Sequence, residues 1–132
     1  MIVIDASVAL EMLLPTAAGL RLVGRLEASA PEVWAPHLLD VEVMQATRRY
    51  QRQGVLSEAG GAEIARDLAD LPIVRCQHEV LLPRIWELRH NLSAYDAAYI
   101  ALAEALDATL LTCDAPLARA PGNNARVEFI ER

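Results

Sequence analysis

Four acids stand where their type and setting could do chemistry. Asp5 ends the β-branched run Ile2-Val3-Ile4, and Asp114 follows the apolar run Thr109 to Cys113. Both runs read as strands, so both acids fall at strand carboxyl ends. Asp96 opens "SAYDAAYIALAEAL", a stretch apolar almost all the way round, which as a helix must be buried. Glu42 lies in a helical pattern that starts just after the strand-like Val33-Trp34-Ala35. A carboxylate in such company has to be paired, protonated or bound to a cation. Four of them converging would raise one another's pKa values or hold a metal. An all-oxygen donor set with no His or Cys at ligand spacing suits Mg²⁺ or Mn²⁺. Such ions lower the pKa of water and stabilise a phosphoryl transition state.

Each acid also has a plainer reading. Asp5 and Asp114 can cap the helices that follow them. Asp96 can be the third residue of a capping box begun by Ser93, and Glu42 a solvated helix residue. Spacing alone leaves these alternatives open.

The elements that must position the acids follow from periodicity. Helical segments are expected directly after Asp5 and around Leu20 to Leu26. Further helices run from His37 to Gln53, from an N-cap at Ser57 to Leu71, and from His78 to His90 with Pro83 near its start. Another begins at Ser93, with Tyr95, Ala98, Tyr99, Leu102 and Leu106 at helical spacing. Strands are expected at Val33–Ala35, stopped by Pro36, at Ile73–Val74, at Thr109–Cys113 and, after a polar turn at 121–124, at Val127–Ile130. Strands alternating with helices imply an α/β fold with a parallel sheet covered on both faces. Ligands in such sheets bind outside the strand carboxyl ends.

The bulk numbers exclude several classes. A chain of 132 residues, 54 % hydrophobic, is one globular domain spanning 1–132. All 12 basic residues are Arg, so no lysine-dependent phosphate loop or Schiff base is available. The net charge of −6 argues against broad phosphate neutralisation unless metal or a local Arg cluster offsets it. Arg48, Arg49 and Arg52 form one such cluster, suited to RNA phosphates or an acidic protein partner, and Arg84, Arg89 and His90 form a second basic edge. His37, His78 and His90 read as helix-terminus or surface residues. Trp34 and Trp86 read as core or interface anchors, and Cys76 and Cys113 as small buried hydrophobes of a reducing compartment. No apolar run is long enough to span a bilayer, and the start MIVIDAS lacks a basic signal region, so a cytoplasmic location without membrane contact is expected.

"MIVIDASVAL", Glu42 in "LLDVEVMQATRR", "SAYDAAYIALAEAL" and "LLTCDAPLARA" together resemble the PIN-domain ribonucleases, and among them the VapC toxins of bacterial toxin–antitoxin pairs. The likeness runs from Met1 to about Ala120 in order and spacing. It implies a three-layer α/β/α sandwich with a central parallel sheet, and endonucleolytic cleavage of RNA with Mg²⁺ or Mn²⁺. Asp5, Glu42, Asp96 and Asp114 match the family's catalytic metal-binding acids. Ser7 and Thr112 match supporting hydroxyls, although local hydrogen bonds to their own turns would explain them too. The resemblance also implies a VapB-like antitoxin partner and a homodimer. One departure stands out: many relatives carry a further acid soon after the fourth motif's aspartate, whereas Pro116 stands two residues beyond Asp114 here and the next acid is Glu128. The competing expectations are a catalytically silent PIN-fold binding module and an aspartate-dependent phosphotransfer domain. The absence of lysine and of a D-x-D motif at Asp5-Ala6-Ser7 weighs against the phosphotransfer domain.

Overall fold

The computed structural model describes residues 1–132. Five short strands form one parallel sheet: β1 (Ile2–Ile4), β2 (Val33–Pro36), β3 (Ile73–Cys76), β4 (Thr109–Thr112) and β5 (Val127–Phe129). Their spatial order is β3-β2-β1-β4-β5. β1 is central, with Val3 opposite Trp34 on one side and Leu110 on the other. Val3 and Ile4 are completely buried, as a β-branched strand between two neighbours and two helical layers must be. The chain builds outward from β1 in one direction through β2 and β3, then returns to its other side for β4 and β5. The β1–β4 boundary is therefore the topological switch point, where the crevice of such a sheet opens.

Seven helices cover the sheet: α1 (Ala6–Leu13), α2 (Ala17–Ser29), α3 (Leu38–Arg52), α4 (Glu58–Asp70), α5 (Leu82–Glu87), α6 (Ala94–Leu106) and α7 (Ala115–Ala118). α1 packs on α2, α3 and α4, while α6 lies across β1, β2 and β4 with α5 against it. The seven consecutive buried residues Ala97–Ala103 explain the apolar composition of α6: the helix is enclosed nearly all round. No single helix is long and apolar enough to cross a membrane.

Several boundaries differ from expectation. Pro36 does not stop β2 but ends it in register with Cys76; lacking an N–H costs nothing where the strand terminates. The expected helix His78–His90 breaks into a 3₁₀ turn (Glu79–Leu81) and the short α5, with Pro83 in its first turn. β4 ends at Thr112 and β5 at Phe129, each one residue early. Of the two readings for Trp86, core and interface anchor, the core one does not hold: the ring is 68 % exposed, with Arg89 4.5 Å over it, and Tyr95, placed at helical spacing, is 65 % exposed. Cys76 and Cys113 are half-buried rather than buried.

Two glycines of α2 test how tightly this layer is packed. Gly24 faces open space, so Gly24→Ala gains helix propensity without a clash and raises stability by about 1 kcal/mol. A Cβ on Gly19 falls 2.3 Å from the Glu11 carbonyl oxygen and 2.7 Å from that of Leu14. Gly19→Ala has the same propensity gain, but the backbone must shift, an overpacking cost of about 1–3 kcal/mol that reverses the sign. Urea midpoints of the two variants are expected on opposite sides of the parent's.

Candidate active site at the sheet switch point

Asp5 and Asp114 cap helices and also stand on the crevice rim, so the two placements the sequence offered are compatible. Asp5 Oδ1 accepts from the Val8 amide at 3.0 Å and caps α1; Asp114 Oδ1 accepts from the Leu117 amide at 3.0 Å and caps α7. Each is also at a strand end beside the switch point, so capping fixes the carboxylates on the crevice rim. Asp96 is placed by α6, whose cap is made by Ser93 Oγ accepting from the Asp96 amide at 3.1 Å. The cap uses the backbone of Asp96, and the half-buried side chain turns to the same crevice. Glu42 reaches it from the first turns of α3, held by the Tyr99 hydroxyl donating to its Oε1 at 2.6 Å.

All four acids line one cavity of about 270 Å³, together with Ser7, Tyr99, Arg49 and Arg132. Their charges act on one another. Burial pushes the Asp5 carboxyl up, against hydrogen bonds from Ser7, Thr112 and the Val8 amide, and Asp114 pushes the same way. Asp96 is raised by desolvation first and then by the charges of Asp114 and Asp5. Glu42 is raised by desolvation, partly countered by Tyr99, with Asp96 and Asp5 adding to the rise.

Ser7 and Thr112 are more than turn residues. Ser7 Oγ donates to Asp5 Oδ1 at 2.6 Å and accepts from the Cys113 amide at 2.8 Å. Thr112 Oγ1 donates to Asp5 Oδ2 and accepts from the Asp114 amide at 2.9 Å. The two hydroxyls thus stitch the end of β1 to the end of β4, and Thr112 is fully buried while doing so. Of the Arg cluster, Arg49 alone reaches the cavity; Arg48 and Arg52 lie on the neighbouring flank of α3. The second basic edge does not form. Arg84 is held bidentately by Glu104 at 2.7 and 3.1 Å and by Glu87 at 2.9 Å, and Arg89 donates to the Trp86 carbonyl. His78 serves the fold, its Nε2 accepting from the Leu38 amide at 2.9 Å to close the start of α3. Tyr99 and Arg132 joined the site unannounced. Tyr99 read only as an apolar helix position, although its i+3 spacing from Asp96 puts both on one helix face; Arg132 carried no sequence signal.

The family model for the PIN domain matches residues 2–123. The chain belongs to the PIN-domain family. Its PIN-domain relatives include "Ribonuclease VapC12" of Mycobacterium tuberculosis, 38 % identical over 130 residues that cover 98 % of this chain and 99 % of the relative. "VapC ribonuclease Mb0985" of Mycobacterium bovis is 41 % identical over 114 residues, 86 % of each chain. Among solved PIN-domain structures, VapC20 of Mycobacterium tuberculosis, described as a sarcin-ricin loop cleaving toxin, superposes with a TM-score of 0.66 at 18 % identity over 89 % of this chain and 93 % of that one. VapBC2 of Rickettsia felis, bound to a promoter DNA fragment, gives 0.68 at 16 % identity over 98 % of both. The three-layer sandwich expected from the sequence is thus the fold observed.

No three of the Asp, Glu, His or Cys side chains are disposed as a ready-made metal cage. The donor set still fits a hard cation: oxygen only, buried at Asp5, and carrying uncompensated repulsion. Mg²⁺ in particular keeps several waters and needs only one or two carboxylates directly, which a cavity of this size accommodates. The raised carboxyls give a sign. The folded apo protein holds its protons to higher pH than the unfolded chain. Stability from this cluster is therefore present at low pH and is lost as pH rises from the ordinary carboxylate range through the raised folded values. A bound divalent ion reverses that loss where the acids are ionised. A divalent cation such as Mn²⁺ is expected to raise the melting temperature increasingly as pH rises and the acids ionise; a shift independent of pH would count against the cluster as the binding site.

Proposed function

We propose that this chain is the endoribonuclease toxin of a VapBC-type toxin–antitoxin pair, with Mg²⁺ or Mn²⁺ as its cofactor. The observation that carries the reading is the meeting of Asp5, Glu42, Asp96 and Asp114, from four separate elements, in one crevice at the switch point. The names of the full-length relatives support the same substrate class. Asp5, Asp96 and Asp114 would hold the ion, with Glu42 completing the set. When bound, the ion supplies charge neutralisation at the phosphodiester and a more acidic water.

The residues themselves do the rest. Ser7 and Thr112 orient Asp5, and by donating to its two oxygens they keep the carboxylate aimed and oppose the rise that burial imposes on it. Glu42, half-buried and raised in pKa, is placed to orient the attacking water and take its proton. Tyr99 fixes the Glu42 rotamer from below. Arg49 is the cation of the α3 cluster nearest the reacting phosphate, and Arg48 and Arg52 extend a basic flank for RNA or for an acidic antitoxin segment. An antitoxin of VapB type and assembly as a homodimer complete the proposal; toxin–antitoxin complexes stand among the structural neighbours.

The test is digestion of total bacterial RNA by the purified, antitoxin-free protein with Mg²⁺, with Mn²⁺ and with EDTA. Discrete fragments that require metal are the expected result. A folded protein that cuts nothing under any of these conditions overturns the reading and leaves a silent binding module.

A further inference from the structure

Four carboxylates repel the strand they are to cut, so something cationic must meet its phosphates. Only two basic side chains line the acidic cavity, Arg49 from α3 and Arg132 beyond β5. Both also line an adjoining open groove of about 530 Å³, which shares Ser7 and Asp114 with the cavity and has Phe129 on its wall. The two depressions are therefore continuous. Arg132 is steered into place by Glu11, a nearly buried acid at the end of α1, whose Oε2 lies 3.9 Å from the Arg132 Nε. That distance is too long for a hydrogen bond. Glu11 thus attracts the guanidinium without consuming its donors; the Cys113 thiol in the groove wall engages Arg132 as well, and the planar fork keeps further donors for a phosphate. Phe129 is 44 % exposed on the edge strand, an aromatic face with nothing stacked on it.

On the reading that this site cuts RNA, we propose that the groove is a subsite for the nucleotide next to the scissile bond. Arg49 and Arg132 grip its phosphate, and Phe129 stacks its base. The groove's continuity with the acids favours the substrate strand as occupant over a protein partner.

The experiment measures binding of a labelled uridylate oligonucleotide to the Asp96→Asn protein in Mg²⁺, across a salt series, with circular dichroism confirming each variant's fold. Uridylate suffices because backbone grip and stacking are sequence-tolerant. Arg132→Gln is expected to flatten the slope of log K against log salt by about 0.7, the signature of one lost phosphate contact on a single strand. Arg132→Lys keeps the slope. Phe129→Ala, which leaves Glu11 and its cation alone, weakens binding about tenfold at unchanged slope. In the cleaving protein the same changes raise KM more than they lower kcat. An unchanged slope in Arg132→Gln together with unchanged affinity in Phe129→Ala overturns the subsite, leaving Arg132 as a counter-ion for Glu11. Unchanged RNA binding with lost inhibition by the antitoxin overturns it too, in favour of a protein interface. The two readings fail separately. Metal-dependent cutting indifferent to these substitutions overturns the groove alone, while slope-changing RNA binding by a protein that cuts nothing overturns the nuclease alone.

Discussion

Asp96→Asn is expected to remove RNA cleavage and leave the protein folded. Of the four acids, Asp96 separates chemistry from structure best. Asp5 and Asp114 cap helices with their side chains, so their loss weakens α1 and α7 as well as the site. Asp96 contributes its amide to the α6 cap, and Asn preserves that amide and the side chain's shape. What goes is one negative charge among four. A loss of about 10³-fold in kcat/KM corresponds to the several kcal/mol of transition-state stabilisation that a correctly held ion supplies. The apo variant is expected to melt no lower than the parent, because one of the repelling, desolvated carboxylates is gone. Retained activity in this variant sinks the site assignment, and loss of fold would show that Asp96 is structural.

Tyr99 gives the second large effect, and it divides cleanly between two variants. The ring is 1 % exposed and among the largest fully buried side chains. Tyr99→Ala therefore opens a cavity costing about 3–5 kcal/mol, a large part of the ~5–15 kcal/mol that holds a domain together. Tyr99→Phe keeps the packing and deletes only the hydroxyl bonded to Glu42, for about 1–2 kcal/mol. Its consequence lies in the pH profile. Desolvation raises the Glu42 carboxyl and the Tyr99 hydrogen bond opposes that rise, so removing the bond raises Glu42 further. The acid limb of the kcat/KM profile in Tyr99→Phe should move to higher pH, with activity recovered once Glu42 ionises. A limb that stays where it was would show that the titration of Glu42 does not limit the reaction.

The strands, the order of the helices and the four acids were legible because each rests on a local pattern. Ile2-Val3-Ile4 is β-branched and followed at once by an acid; Ser93 and Asp96 form a cap three residues apart. What escaped depends on contacts between distant parts of the chain. Nothing near Ser7 reveals that its hydroxyl meets the Cys113 amide, and nothing near Tyr99 reveals Glu42, 57 positions earlier. Arg84 looked free because Glu104, its partner, lies one helix away. Trp86 read as a core or interface anchor by type alone; α5 is too short to present a buried face and leaves the ring outside, which removes the core half of that reading. Arg132 sits beyond any periodic segment, and only the return of β5 to the sheet edge brings it beside α1.

The hydroxyl of Thr112 that secures Asp5 lies 107 positions along the chain from it. During synthesis the chain emerges amino end first, so β1, β2 and β3 can associate while Asp5 still lacks its counterpart. A ribosome carrying a chain that stops short of Thr109 holds three of the four acids and neither the strand nor the hydroxyl that assembles them. Such a nascent or prematurely ended product lacks Asp114 as well, and the crevice stays open on its β4 side. The order of strands in the sheet works as a delay: the four-acid crevice can be assembled only after nearly all of this chain has been translated.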